Sequence, residues 1–433
     1  MTQKKFDWLD VVPDNWKRMR LKDVGYLYGG LTGKSGDDFK GEATSDTKPF
    51  IPFTNILNNV YIDPNQIKYV VISDGEKQNA VKQGDLLFLM SSEDYEGIGK
   101  AAVVNCDMGE VYLNSFCKGF RVTDKSVFAP FLCYQLLGYD CHNTISIEAQ
   151  GFTRINIQTG KIAGTKIAIP SFEEQVRIVQ YLDGKLGNID TYIAQRNWEL
   201  KQLKIFKQAK INEVVVRGIN NEVQTKDCGL KWLGKIPVHW AVRRIKDVFV
   251  ESDEVSTTGK EDLLSVSEYY GVALRKDRMS DDEEFETRAD SLEGYKICHT
   301  GDLVSNIMLT WKRALGISDY EGIVSPAYAV YRGINIFPKY YHYLFRSDMY
   351  IAEFKRNSTG IIESRLRLYS DRFFAIKTIY PPLDEQKEIA EYLDKECRLV
   401  DEKCALIEKQ IEELQLLKSA LINEVVTGKR VIA

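Results

Sequence analysis

The sequence lacks any hydrophobic run long enough to cross a membrane. Its 433 residues are 44% hydrophobic and 28% charged, which is ordinary for a globular protein. No stretch approaches the roughly 18 consecutive apolar residues that a membrane helix needs. The first residues, MTQKKFDWLDVV, also lack the apolar core and small-residue cleavage site of a secretory signal. We therefore expect a cytoplasmic protein without membrane contact, and a chain of this length allows two or three domains.

Metal-binding and disulfide patterns are missing as well. The eight cysteines form no C-x-x-C pair, and the four histidines show neither a catalytic triad nor metal spacing. Reduced cysteines are therefore expected, with no metal site and no catalytic residue. The net charge of −4 argues only weakly against nucleic acid as a partner, because phosphate contacts depend on local basic patches.

A phosphate-binding loop is present only in part. The stretch YGGLTGKS (28–35) ends in the Gly-Lys-Ser of the pattern G-x-x-x-x-G-K-[ST], but Tyr28 occupies the place of the first glycine. The residues before it are charged, and those after it are polar and turn-rich, so the buried strand and the helix of such a site are not predicted. The stretch is better interpreted as a glycine-rich turn, and an NTPase built around Lys34 is the less favoured reading.

The feature that organises the chain is an internal repeat. WLDVVPDNWKRMRLKDV (8–24) returns as WLGKIPVHWAVRRIKDV (232–248), at an offset of 224 residues. IPSFEEQVRIVQYLDGKLGNID (169–190) returns as YPPLDEQKEIAEYLDKECRLVD (380–401), at an offset of 211. The chain is therefore two copies of one unit, which suggests a pseudo-two-fold arrangement within one chain. Trp16 and Trp240 recur identically, which favours packing at the base of a helix.

Each copy divides into a globular part and a long helix. The globular part mixes β-like runs with helix-like stretches, which predicts an α/β (α+β) domain. Helices are predicted for 172–216 and 383–426, because both are proline-free and have acidic residues in the first turn. The resulting boundaries are 1–170 and 221–381 for the globular domains and 171–220 and 382–433 for the helices.

Both helices carry a heptad seam. The seam positions are separated by alternating three and four residues. They are 182, 186, 189, 193, 196, 200 and 203 in the first helix and 393, 397, 400, 404, 407, 411 and 414 in the second, and all but position 196 are apolar. This spacing predicts an antiparallel coiled coil that joins the two domains. Two helices that each pack on their own domain are the alternative. Arg196 is the one charge in the first seam.

The repeated blocks resemble specificity (S) subunits of type I restriction-modification systems. The W-L-x(3)-P-x-x-W-x(3)-R-[LI]-K-D-V and P-x-x-[DE]-E-Q…Y-L-D blocks occur twice and in the same order, so the resemblance covers essentially the whole chain. GDLLFLMSSEDYEGIGKAAVV (84–104) and GDLVSNIMLTWKRALGIS (301–318) look like further pieces of the family.

The resemblance implies a non-catalytic subunit with two target-recognition domains, each reading half of a bipartite, asymmetric site in double-stranded DNA. The helices would set the spacing and dock two methyltransferase subunits, and restriction subunits would join them. S-adenosylmethionine, ATP and magnesium are expected on those partners, with no cofactor on this chain. The sequence agrees, since the adenine-methyltransferase signature [DNS]-P-P-[YFW] is absent.

Residues that reach DNA should be polar or basic and should lie in loops. The candidates are Lys34, Ser35, Ser91, Ser92, Lys100, Thr153 and Arg154 in the first copy and Asn306, Thr310, Trp311, Lys312, Arg313, Arg365 and Arg367 in the second. Arg154 and Arg365 correspond at the offset of 211, which favours a shared contact with a DNA phosphate.

Candidates for methyltransferase docking lie on the long helices: Arg177, Arg196, Glu385 and Gln386. A second function, from a different class, remains open. The chain could be a coiled-coil scaffold that binds proteins and does not recognise DNA by sequence.

Overall fold

The structure is a computed structural model that describes residues 7–73, 75–220, 222–276 and 291–432. It divides into two compact units. The first combines Met1–Arg196 with Lys409–Ala433, and the second is Asn197–Glu408. Both units mix helices and strands, as the α/β prediction requires. Within the described residues, every helix is too short or too polar to span a membrane.

The first unit is built around an antiparallel four-stranded sheet. Its strands and short helices are β1 Lys17–Arg20, β2 Gly25–Gly29, β3 Phe39–Lys40, β4 Thr47–Ile51, α1 Phe53–Asn58, β5 Lys68–Val71, β6 Ala80–Val81, β7 Leu86–Leu89, β8 Ser91–Ser92, β9 Ala101–Val103, β10 Val111–Leu113, β11 Cys117–Val122, α2 Ala129–Leu137, α3 Tyr139–Ser146, β12 Ile155–Asn156, α4 Thr159–Ala163 and β13 Lys166–Ile169. The central sheet has the order β2-β11-β7-β9, and a second sheet has the order β3-β5-β4-β10-β6.

After the long helix α5, Phe172–Arg217, the second unit repeats the same central sheet. Its elements are β14 Thr225–Asp227, β15 Lys235–Pro237, β16 Ala241–Arg244, β17 Phe249–Glu251, β18 Leu264–Ser267, β19 Gly271–Leu274, β20 Lys296–Cys298, β21 Leu303–Asn306, β22 Leu315–Ile317, β23 Gly322–Val324, β24 Tyr328–Gly333, α6 Pro338–Phe345, α7 Asp348–Asn357, α8 Ser370–Ala375, β25 Lys377–Tyr380 and the long helix α9, Leu383–Val426. The order β17-β24-β21-β22 matches that of the first unit, but the two-stranded sheets β18-β19 and β20-β23 stand where the first unit has its second sheet.

The long helices lie close to their predicted bounds. α5 begins at Phe172 and ends one residue past the predicted position, and α9 covers 383–426 as predicted. The heptad positions on both helices are buried or half-buried, while most of their neighbours are exposed. Arg196 is half-buried, and its guanidinium stacks on Tyr192 one turn earlier and donates to that hydroxyl at 2.9 Å. The seam charge therefore has a partner on its own helix.

Within each unit the two helices run antiparallel. In the second unit Glu199 pairs with Lys403 at 2.9 Å, and Lys207 pairs with Asp401 at 2.6 Å. Partner numbers therefore fall along α9 as they rise along α5. In the first unit, Asp190 of α5 pairs with Lys418 of α9 at 2.6 Å.

The repeated tryptophans attach each globular part to a long helix. Trp16 and Trp240 are buried, and their indole nitrogens donate to Glu174 at 3.2 Å and to Glu385 at 2.9 Å. Because both glutamates lie in the first turn of α5 or α9, the predicted packing of the tryptophans at the helix base is confirmed. The repeated Trp and Glu positions are thus explained by scaffold contacts.

Candidate nucleic-acid interface

An ion pair between a buried aspartate and an arginine sets the position of the same loop in each unit. Gly84 and Gly301 turn the chain with positive φ angles of 88° and 91°. The aspartates that follow are buried: Asp85 pairs with Arg121 at 2.7 Å and Asp302 pairs with Arg332 at 3.2 Å. Each pair links the start of β7 or β21 to the neighbouring strand, β11 or β24. The loop after β7 and the loop after β21 therefore start from equivalent places in the two units.

Two loops meet beyond these strands. We call residues 90–100 and 307–314 the strand-exit loops, and residues 150–157 and 359–368 the glycine loops. In the first unit β8 pairs with β12, and the Ile157 amide donates to the Met90 carbonyl at 3.1 Å. In the second unit the Leu368 amide donates to the Ile307 carbonyl at 2.8 Å. Each unit thus presents one strand-exit loop beside one glycine loop.

The glycine loops share a tight backbone contact. A Cβ on Gly151 would lie 2.0 Å from the carbonyl oxygen of Arg154, and one on Gly360 would lie 2.6 Å from that of Arg365. Both arginines are exposed. The Arg154 guanidinium lies 5.5 Å from the centre of the Phe116 ring. Arg154 and Arg365 hence occupy corresponding places in the two loops, as the offset of 211 predicts.

Eleven of the fourteen DNA-contact candidates lie wholly or partly at the surface. Lys34 and Arg313 form ion pairs, and the other nine are Ser35, Ser91, Ser92, Lys100, Thr153, Arg154, Lys312, Arg365 and Arg367. Of these nine, all but Ser35 belong to the strand-exit or glycine loops. Ser35 lies elsewhere, and its amide and hydroxyl both donate to Asp38, at 2.7 and 3.2 Å.

Lys34 is already engaged within its own unit, which argues against the predicted DNA contact. Its side chain is only 7% exposed, and its ammonium group pairs with Glu76 at 2.6 Å. This hydrogen bond is the main reason why the pKa of Glu76 falls to about 2. Because the ammonium group is neutralised within the unit, it is not free to hold a phosphate. The chain after it forms a three-residue 3-10 turn, Gly36–Asp38, where a phosphate loop would need an α-helix.

In the second unit three of the candidates are buried, and a fourth, Arg313, forms an ion pair. Asn306, Thr310 and Trp311 are buried. The Thr310 hydroxyl donates to the Asn306 carbonyl at 2.8 Å, and the Trp311 indole donates to the Met308 carbonyl at 3.0 Å. Arg313 is held by the Arg346 carbonyl and by Asp348. Asn306, Thr310 and Trp311 therefore shape the strand-exit loop from inside, which argues against base contacts by these three side chains.

Gln386 and Glu385, two of the four docking candidates, also have partners within their own unit. Gln386 is fully buried and binds the Phe337 amide at 2.9 Å, which argues against a direct contact with a partner subunit. The Glu385 carboxylate accepts from Trp240 at 2.9 Å and pairs with His239 at 2.6 Å, so it already has partners within the unit. Arg177 is exposed on α5, and Arg196 belongs to the seam.

Exposed apolar residues on the long helices were missed by sequence reasoning. Trp198 and Ile205 on α5, and Leu399 and Leu406 on α9, are all more than half exposed and belong to the second unit. Each pair is separated by seven residues, which places its members on one side of a helix, outside the seam. That second heptad spacing was the signal in the sequence. We call these four residues the outer stripe.

Comparison with known proteins agrees with this geometry. A family model, the type I restriction modification DNA specificity domain, matches residues 13–202. The putative type I restriction enzyme MjaX specificity subunit of Methanocaldococcus jannaschii is 23% identical, and the alignment covers 96% of this chain and 94% of the relative. The HsdS subunit of Thermoanaerobacter tengcongensis has a TM-score of 0.51 at 15% identity, with 99% of this chain and all of the other covered. A chain solved in work on complex assembly and conformational transition of the type I R-M system has a TM-score of 0.70 at 16% identity, with 97% and 99% covered.

Together the family model and the curated relatives indicate a type I specificity subunit. Proteins of this family are the DNA-recognition components of restriction-modification systems, and catalysis resides in partner subunits. The prediction of a non-catalytic specificity subunit is therefore confirmed. The family model matches the first copy of the repeat, and the full-length relative extends the match over both copies.

Proposed function

We propose that this specificity subunit reads a bipartite, asymmetric DNA target, one half with each unit. The observation that carries the proposal is a shared scaffold with different reading surfaces. The central sheets have the same order, and the same Trp–Glu and Asp–Arg contacts recur. The strand-exit loops differ, since SSEDYEGIGK (91–100) stands opposite IMLTWKRA (307–314). Two readers with different loops select different half-sites.

Some of the exposed basic and hydroxyl groups would contact DNA phosphates, and others would contact base edges. Arg154 and Arg365 recur at one position and are suited to phosphate contacts, which carry no sequence information. Ser91, Ser92, Lys100, Lys312 and Arg367 are not repeated, so they are suited to base edges. Exposed Glu93 and Glu96 join them in the first unit, because a carboxylate can accept a hydrogen bond from the cytosine amino group.

The long helices form the second part of the proposal. As an antiparallel coiled coil they would fix the separation of the half-sites, and two methyltransferase subunits would dock on them. The outer stripe supports docking, because each helix exposes two apolar side chains on one side and exposed apolar surface marks protein–protein interaction sites. S-adenosylmethionine would be bound by the methyltransferases. Restriction subunits, which use ATP and magnesium, would complete a cleaving complex in the cytoplasm.

Methylation sequencing of the host with and without this gene tests the proposal. Deletion is expected to abolish N6-methyladenine at one bipartite, non-palindromic motif, and reintroducing the gene should restore it. If every methylated motif survives the deletion, the chain does not direct methylation and the proposal fails.

A mobility-shift assay separates this function from the scaffold alternative. The chain with its methyltransferase subunits should retain the target duplex in the presence of excess duplex whose two half-sites are scrambled. Equal competition by the scrambled duplex would favour a protein scaffold that holds DNA without recognising its sequence.

A further inference from the structure

Each glycine loop ends in an apolar side chain that lies almost wholly in solvent. Phe152 has a relative exposure of 105% and Ile361 of 101%. Both residues directly follow the glycine of their loop, Gly151 and Gly360, and so they occupy the same place in the two units. A single exposed apolar residue needs no explanation. Two at one corresponding position, each more exposed than any other large apolar residue of the described chain, indicate a shared role.

The backbone holds both side chains out. The pairs Gln150–Asn156 and Thr359–Arg367 each close their loop with an antiparallel bridge. Between these closures the glycine packs against the carbonyl of Arg154 or Arg365, as described above. The bridge and the glycine contact therefore constrain the tip of each loop to a tight turn. The apolar residue of that turn stays in solvent and does not pack into the hydrophobic core.

The surroundings of the tips favour nucleic acid over protein. An exposed Arg154 lies two residues after Phe152, and exposed Arg365 and Arg367 follow Ile361. An apolar tip beside guanidinium groups suits a base step next to a phosphate. Phe and Ile are both among the side chains that proteins insert between base pairs, which unstacks a step at a cost of a few kcal/mol. A protein partner would need a wider apolar patch.

We propose that Phe152 and Ile361 are apolar wedges, each inserted at one base step of the half-site that its own unit reads, with Arg154 and Arg365 on the adjacent phosphates. This inference rests on the proposed function and deepens it. Pyrimidine–purine steps unstack most easily. Each wedge would therefore favour targets with such a step at its insertion point, without hydrogen bonds to the base edges.

The test uses the full chain in complex with its methyltransferase subunits and a duplex carrying the target found by methylation sequencing. Unstacking is measured by 2-aminopurine fluorescence at adenines and by permanganate reactivity at thymines of both half-sites, excluding the methylated base pairs, because a methyltransferase takes its own target base out of the stack. The wild-type complex should show one unstacked step in each half-site. Phe152→Ala should abolish the signal in the first half-site and Ile361→Ala in the second, each with about a tenfold loss of affinity. Phe152→Trp should keep both signals.

Tyr139→Ala and Val250→Ala are the matched controls, because both residues are large, apolar and more than half exposed, one in each unit. They should change neither signal. Specific binding by the wild type without any unstacked step overturns the wedges but leaves the proposed function standing. Loss of both signals from one single variant overturns the assignment of one wedge to each half-site. If the wild-type complex does not bind the target in preference to other DNA, both the proposed function and the wedge proposal are contradicted.

Discussion

At the scale of single residues, one buried glutamine joins each globular part to its long helix. The Gln175 side chain accepts from the Phe128 amide at 2.7 Å and donates to the Ser126 and Pro170 carbonyls at 2.9 and 3.0 Å. Gln386 binds the Phe337 amide and the Pro381 carbonyl in the same way. The E-Q pair of the repeat is thereby explained by two structural contacts, one for each side chain.

Replacing Gln175 by Ala should destabilise the first unit. The change leaves the Phe128 amide and two carbonyl groups buried without this partner, which costs about 1–3 kcal/mol. Arg177→Ala, two residues further along the same helix and at an exposed position, is the control and should leave stability nearly unchanged. Chemical denaturation measures both variants, and equal midpoints would contradict the structural role of the amide.

The salt dependence of DNA binding should distinguish Arg154 from Lys34. If the exposed Arg154 guanidinium binds a phosphate, Arg154→Ala should lower the slope of log K against log salt by about 1. Lys34→Ala should leave that slope unchanged, because Glu76 already neutralises the ammonium group. Titrations of the target duplex at several salt concentrations provide the slopes. A reduced slope for Lys34→Ala would restore it as a phosphate ligand.

His342 should make the second unit less stable in weak acid. Its Nδ1 accepts from the Ile317 amide at 3.3 Å. Desolvation of the ring, helped by Arg346 and Lys339, lowers the pKa of His342 to about 3. Below about pH 6.5 the unfolded chain therefore binds a proton at His342 that the folded chain does not bind. The free energy of unfolding consequently decreases as the pH falls.

The slope from this residue approaches about 1.4 kcal/mol per pH unit. Denaturation of wild type and His342→Gln between pH 7 and about pH 5 measures it, and the difference isolates this residue from the other titrating groups. The glutamine keeps an acceptor for the Ile317 amide, so its curve should be flatter. Parallel curves would show that His342 does not control this pH dependence.

At the scale of elements, the long helices were predictable and the sheets were not. Absence of proline, an acidic first turn and the heptad spacing are local signals, and the helix ends followed from them. Sheet order depends on pairings between distant segments, such as β2 with β11, which lie about 90 residues apart. The repeated W, E and R-[LI]-K-D-V positions pointed to a shared scaffold, because both copies need the same contacts.

The reading surface escaped prediction for the same reason. The glycine-rich neighbourhood of Lys34 favours a phosphate contact, but its partner Glu76 lies 42 residues away in sequence. Thr310 and Trp311 have the composition of a DNA-contacting loop, yet both bind backbone carbonyls within that loop. Exposure, which separates Arg154 and Arg365 from these residues, is a tertiary property that their own sequence neighbourhood does not encode.

Two leucines of α9 should separate stability from docking. Leu393 lies in the seam and is fully buried, whereas Leu399 in the outer stripe is 53% exposed. Leu393→Ala should cost about 2–5 kcal/mol of unfolding free energy. Leu399→Ala combined with Leu406→Ala should leave the unfolding free energy nearly unchanged and weaken binding of the methyltransferase subunits. Denaturation and titration calorimetry measure the two effects. Unaltered methyltransferase affinity would exclude the outer stripe as the docking surface.

At the scale of the whole molecule, the repeated blocks provide junctions at which one reader can replace the other. Val24 and Val248 are both buried at the end of the R-[LI]-K-D-V block. β13 and β25 pair with β1 and β16 in the same antiparallel register, from Arg20 with Lys166 to Lys17 with Ile169 and from Arg244 with Lys377 to Ala241 with Tyr380. The residues between these junctions contain the central sheet, the strand-exit loop and the glycine loop.

A hybrid that carries residues 249–376 in place of 25–165 should therefore fold and read the second half-site twice. If the two units are related by the pseudo-two-fold axis that the repeat suggests, the methylated motif should become an inverted repeat of that half-site, since operator symmetry mirrors protein symmetry. Methylation sequencing of a host expressing the hybrid measures the motif, and a chain rebuilt with its own residues 25–165 is the control. A hybrid that still directs methylation to the original asymmetric motif would show that target selection lies outside the exchanged residues.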